Sequence, residues 1–131
     1  MVKKVILAAG NQALELVIVN DIQWCTVYLF KHEKIHELGS DMFEVIIQRF
    51  LSILEPFKQH ETTHVLDGNP YTCFIMLAEK HASGYMRRNE NGVLLHFRDG
   101  EGKAIDDIQL SEENCIEWRN ILLNFREYSF N

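Results

Sequence analysis

The residues whose types and spacing come nearest to chemistry are His60, Glu61 and His64, in the stretch His60-Glu61-Thr62-Thr63-His64. Residues four apart share one face of an α-helix, so on a helix both imidazoles would offer a ring nitrogen to one Zn²⁺. Glu61 would then serve as general base toward the metal-bound water, whose acidity the zinc raises. Phe57 falls on the same helical face, and Val65 and Leu66 supply apolar flanks. Thr62 and Thr63 are indifferent helix residues, and on a strand the same spacing gives a different geometry. A third ligand has no ready source. Glu79 and His81 are nearest along the chain, and Glu113 and Glu117 lie in the last helical stretch.

The pattern is similar to the HExxH signature of zinc-dependent metalloproteases. That resemblance implies a sheet before the active helix and a ligand-bearing helix soon after it, whereas further strands are expected here. The plainer reading makes His60 and His64 ordinary residues of a connecting segment, with no metal and no cofactor. His32 and His36, also four apart, sit beside a turn between strands and read as surface histidines. A set of His64, Cys73 and His81 would recruit Cys73 from the most apolar strand, so it reads as core. No GxSxG elbow occurs, and Gly100-Glu101-Gly102 is too short and too acidic to cradle phosphate.

Tyr85, Arg87, Arg88, His96 and Arg98 cluster on a predicted hairpin over residues 84–98. Aromatic and cationic side chains on a strand surface can stack bases and track a phosphate backbone. The charge balance opposes that use. Thirteen basic side chains meet 19 acidic ones, a net charge of −6. Residues 1–60 carry 6 basic and 7 acidic side chains, and residues 61–131 carry 7 and 12. Between Asp99 and Glu117 seven carboxylates face Lys103 alone. A field of that sign repels nucleic acid and attracts basic partners. Asp99, Glu101, Asp106, Asp107, Glu112 and Glu113 are the expected partner-binding face.

The elements that must position these residues follow from pattern. The chain of 131 residues is long enough for one domain with a real core. Its three cysteines, Cys25, Cys73 and Cys115, are an odd number in apolar stretches, which points to free thiols and a cytoplasmic location. No stretch approaches the ~20 apolar residues a membrane helix needs. Val2–Ala8, Leu14–Val19, Ile22–Lys31 and Lys34–Leu38 read as strands, with turns at Gly10-Asn11 and Asn20-Asp21. Both faces of Ile22–Lys31 are largely apolar, which places it centrally in its sheet.

Asp41–Leu54 is the most apolar helical stretch. Phe43, Ile46, Ile47, Phe50, Leu51 and Leu54 share a face that Met42, Val45 and Ile53 widen, so it should be buried on more than one side or against a second subunit. Asp41 with Glu44 forms a capping-box pattern, and Pro56 should stop the helix. Beyond it, residues 56–66 carry conflicting signals: Pro56 suits a new helix, and the β-branched run from Thr62 to Val65 suits a strand. Tyr71–Ala78 is a strand. Gly84–Glu90 and Val93–Arg98 form a hairpin across Asn91-Gly92. Lys103–Leu110 is a strand whose alternation slips at Asp106-Asp107, as a bulge would make it. Ser111 caps a second helix with Trp118, Ile121, Leu122 and Phe125 on its apolar face, and Tyr128–Asn131 is a tail.

The expected fold is therefore α+β: a mostly antiparallel sheet with two main helices, arranged as two halves of four strands and a helix. Aligning Asp41 with Glu112 brings Ile47 opposite Trp118 and Leu51 opposite Leu122, which suggests an internal duplication over 1–58 and 62–127. Four strands and a helix, twice over, resembles the arrangement of Whirly and related single-stranded nucleic-acid-binding proteins. The resemblance rests on element order and implies little about function. By elimination, the expected function is a small acidic noncatalytic binding protein. An immunity- or inhibitor-type protein that neutralises a basic toxin or nuclease fits, and a homodimer is compatible. The alternatives are a zinc metalloprotease on His60, Glu61 and His64, and a Whirly-like nucleic-acid module on the 84–98 hairpin.

Overall fold

The computed structural model of the chain describes residues 2–19, 23–56 and 58–130. Four strands, Val2–Ala9 (β1), Gln12–Val19 (β2), Trp24–Lys31 (β3) and Lys34–Met42 (β4), form one antiparallel sheet in sequence order. The helix α1, Phe43–Leu54, follows directly. A second antiparallel sheet joins His64–Leu66 (β5), Asn69–Met76 (β6), Ser83–Asn89 (β7), Gly92–Arg98 (β8) and Ala104–Leu110 (β9), again in sequence order. The last helix, α2, spans Glu112–Phe130. This is the α+β architecture that the pattern predicts, with the short β5 added ahead of the second set of four strands.

The two halves are laced together through their helices. Helix α1 packs against β6 of the other half as well as against β3 and β4, and α2 packs against β1 as well as β8 and β9. Trp118 fixes the second crossing: its ring is fully buried and its Nε1–H donates to the Ala8 carbonyl at 2.8 Å. The helices also meet each other, with Phe43 edge-on to Phe125 at 5.5 Å between ring centroids. Phe43, Ile46, Ile47, Phe50, Ile53 and Leu54 of α1 are all buried. The width of that apolar face is thus accounted for inside one chain. Both sheets and both helices contribute to a single core.

Several local expectations are corrected. Asp41 does not cap α1, because β4 runs on through Met42 and the helix begins at Phe43 with no side-chain cap. Asp41 instead accepts hydrogen bonds from the backbone N–H of Met42 at 2.7 Å and of Ala78 at 3.0 Å. That second bond ties the edge of the first sheet to the turn leaving β6, where Ser40 and Glu79 exchange backbone bonds. Gly39 permits the close approach. Its φ is +138°, and a Cβ there would lie 2.0 Å from the Glu79 carbonyl oxygen.

The 84–98 hairpin turns at Glu90-Asn91, one residue earlier than expected, and Gly92 already pairs with Asn89. The register slip opposite β8 falls at Ile105, just before Asp106-Asp107. Helix α2 continues to Phe130, so the expected tail is helical up to there. Its cap is as expected: Ser111 Oγ accepts from Asn114 N–H and Asn114 Oδ1 accepts from Ser111 N–H, both at 3.0 Å. The turn expected at Asn20-Asp21, the start of the third strand at Ile22, and Phe57 and Asn131 lie outside the described residues. No described helix is long and apolar enough to cross a membrane.

Candidate functional site

The segment His60-Glu61-Thr62-Thr63-His64 is not helical. Residues 58–63 have no regular structure and His64 opens β5. The β-branched threonines fit that outcome, since they gain from pairing with a neighbouring strand. Thr63 N–H donates to the Tyr71 carbonyl at 2.9 Å, and Thr72 Oγ1 donates to the Glu61 carbonyl at 2.7 Å. His60 and His64 therefore do not share the helical face that the HExxH geometry requires. Glu79 and His81 lie in the turn beyond the far end of β6. Among the described residues no group of three or more His, Cys, Asp or Glu is placed to hold a metal ion. His32 and His36 are exposed at and beyond the β3–β4 turn.

On the outer face of the second sheet, alternation brings Tyr85, Arg87, His96 and Arg98 together, and Arg88 of the expected cluster falls on the opposite side. The cluster is closed rather than open. Tyr71, Tyr85 and His96 are only 7–9% exposed and pack ring against ring, with His64 against Tyr85 at 5.3 Å. Arg87 lies over the Tyr71 ring, 5.4 Å from its centroid. Arg98 donates to His96 Nε2 at 2.8 Å and to Asp67 at 3.1 Å, and His96 Nδ1 pairs with Asp107. Arg88 donates to the carbonyls of Glu55 and Lys58. Rings packed this way present no free π-face for a base.

Four of the six acidic residues expected to form the partner-binding face have partners within the chain. Asp106 pairs with Lys31 at 3.0 Å, Asp107 with His96, and Glu112 lies 3.7 Å from Arg88. The Asp99 carboxylate accepts from Glu101 N–H and Lys103 N–H, both at 2.9 Å, and so holds its own turn. Glu101 and Glu113 project into solvent as exposed carboxylates. Ion pairing on β9 also joins the two sheets, because Gln12 Nε2 donates to the Asp107 carbonyl beside the Lys31–Asp106 pair.

The outer face of the first sheet is different. The register stacks Ile6, Glu15, Tyr28 and Glu37 in one row across the four strands, and Ala8, Ala13, Phe30 and Ile35 in the next. Lys4, Val17, Thr26 and Ser40 make a third row, and Trp24 faces Met42 beyond it. Val2, Ile6, Ile35 and Met42 are 51–61% exposed, and Trp24, Tyr28 and Phe30 are half-buried beside them. Ser40 is buried where the turn holding Glu79 and Lys80 meets the edge of β4, and the other described residues of this face are half-buried or exposed. The sequence carried its signal in the doubly apolar alternation of Trp24–Lys31. Central strand position explains the inner residues Cys25, Val27 and Leu29 and gives no role to the outer aromatics Trp24, Tyr28 and Phe30.

A cleft of about 370 Å³ opens between residues 59–62 and the strands β6 and β7. Burial pushes the His60 imidazole below its ordinary pKa, the charges of Lys58 and Arg88 push it further, and Glu55 opposes them. The thiols do not titrate near neutrality. Burial raises Cys25 to about 12 and Cys115 to about 11, with Glu112 adding to the latter, and it raises Cys73 as well. Raised thiols are poor nucleophiles. No protein-family model matches the sequence, and no curated protein is similar to it.

Proposed function

We propose that this chain is a noncatalytic binding protein that recognises a protein partner through the open face of its first sheet. One observation supports the reading above all: the contrast between the two sheets. The aromatic residues of the second sheet are packed against each other, whereas Val2, Ile6, Ile35 and Met42 leave more than half of their surface in water beside Trp24, Tyr28 and Phe30. Exposed apolar residues gathered on one sheet face mark interaction sites, and aromatic side chains supply much of the energy when such a face is buried. Four strands ~4.8 Å apart and eight residues long give a face on the order of 500 Å² in projection, close to one side of a small specific interface.

The face holds few charges, Lys4, Glu15 and Glu37, and Glu37 is paired with Lys80. Its energy therefore comes from apolar burial. The net charge of −6 acts at longer range and favours a basic partner by steering the encounter. A toxin or nuclease held by an immunity-type inhibitor is a partner of that chemistry. Exposed Glu101 and Glu113 contribute to the steering.

Photo-crosslinking in cells tests the proposal. A photoreactive residue at Ile35 or Met42 is expected to trap one discrete basic protein, and one at exposed Glu117 of α2 is not. Adducts at Ile35 and Met42 no more abundant than at Glu117 would exclude the face as the recognition surface.

A further inference from the structure

Two buried side-chain polar atoms lack a hydrogen-bond partner among the described residues, His60 Nε2 and Arg87 Nε. Both residues line the same cleft, together with Gln59, Thr62, Thr72 and Arg88. Buried polar groups are nearly always paired, so two orphans on residues that line one cleft mark it as a place where a ligand would find unused polar groups. We infer that this cleft binds a tetrahedral oxyanion, a phosphate either free or carried as the monoester of a small molecule.

The chemistry of the walls selects the ligand. Arg87 brings to the cleft a guanidinium that is held over the Tyr71 ring, and a planar donor fork suits phosphate oxygens. Arg88 lies beside it, with its Nε and one terminal nitrogen committed to the carbonyls of Glu55 and Lys58 and its remaining nitrogen 3.7 Å from Glu112. Its charge reaches the cleft while its donors hold the loop. Gln59 and Thr62 add an amide and a hydroxyl from the facing side. The charged groups facing His60 are Lys58 and Arg88, with Glu55 against them and Arg87 across the cleft. Burial is the larger reason that His60 resists a proton, and the Lys58 and Arg88 charges that add to it favour an anion in the same place. A bound dianion reverses that bias and makes protonated His60 a further donor. The cleft's volume of about 370 Å³ exceeds a bare phosphate and leaves room for a small esterified group.

The test is an NMR titration of the six histidine imidazoles in the full chain with sulfate, inorganic phosphate and ribose 5-phosphate. Sulfate carries no proton between pH 5 and 8, so any shift it causes belongs to the protein. The expected result is a rise of about one unit in the pKa of His60 alone, which corresponds to about tenfold tighter binding by the protonated form. Arg87→Met, with an unchanged amide spectrum, should weaken binding at least tenfold. Arg87→Lys keeps the charge without the fork and should fall between. Tighter binding of ribose 5-phosphate than of phosphate assigns the site to a monoester, and equal binding assigns it to the free ion. A His60 pKa unmoved by all three anions, or full binding by Arg87→Met, overturns the inference.

Discussion

The neutral imidazole is the favoured form of His60 in the folded chain, because burial and the charges of Lys58 and Arg88 oppose its protonation. The unfolded chain therefore takes up more protons at this residue between the lowered folded pKa and the ordinary value near 6.5. Stability contributed by neutral His60 is present above that ordinary value and is lost as pH falls toward the folded one. His60→Gln should accordingly flatten the acid limb of a denaturation-versus-pH profile in that window, with little change above pH 7. An unaltered slope would show that His60 does not report the cleft. The cysteines give a second expectation. Cys73 is half-buried, and Cys25 and Cys115 are buried with thiols raised to about 12 and about 11. Alkylation of native protein followed by mass spectrometry should label Cys73 first and the other two only on unfolding. At this scale the sequence was a partial guide. It marked His60 as chemically notable for its distance from His64, whereas the structure gives it interest through Arg87, which lines the same cleft from 27 positions away and which no local pattern links to it.

The elements themselves were largely legible, and the errors share a cause. Periodicity located both helices and every long strand, since each buries one face and the alternation of apolar residues records which. Boundaries shifted where a tertiary contact outweighed the local signal. Asp41 has the residue type and spacing of a helix cap, yet its carboxylate reaches the Ala78 N–H, and Gly39 lets β4 approach Glu79. That joint makes a prediction at the same scale. Gly39→Ala puts a methyl group into the Glu79 carbonyl at a backbone angle that L-residues avoid, which should cost about 1–3 kcal/mol, read as a lower urea midpoint with an unchanged slope. Asp41→Ala should lower the midpoint through the same contact. The cap that does form offers a control: Ser111→Ala should cost about 1 kcal/mol without disturbing the joint between the sheets.

At the scale of the whole molecule, each helix closes the core of the other half, so neither half has a complete core of its own. That exchange leaves the helices inside and one face of each sheet outside. On the second sheet's face the aromatic rings are packed among arginine and carboxylate side chains, with Met76 exposed at one end, and the first sheet's face leaves Val2, Ile6, Ile35 and Met42 more than half exposed. Composition made the acidic run from Asp99 to Glu117 the most visible surface feature, but a sequence count cannot tell that Asp106, Asp107 and Glu112 lie beside Lys31, His96 and Arg88. The open face was equally present in the sequence, divided among four strands whose register had to be known before Ile6, Tyr28, Phe30 and Ile35 came onto one face. The decisive measurement is the dissociation constant for the partner trapped at Ile35, compared between the natural chain, Ile35→Lys with Met42→Lys, and Glu101→Lys with Glu113→Lys. The account predicts at least a hundredfold loss in the face variant at every salt concentration, and in the charge variant a smaller loss, confined to the association rate and vanishing at high salt. Unweakened binding by the face variant alongside collapse in the charge variant would contradict it and return recognition to the carboxylates.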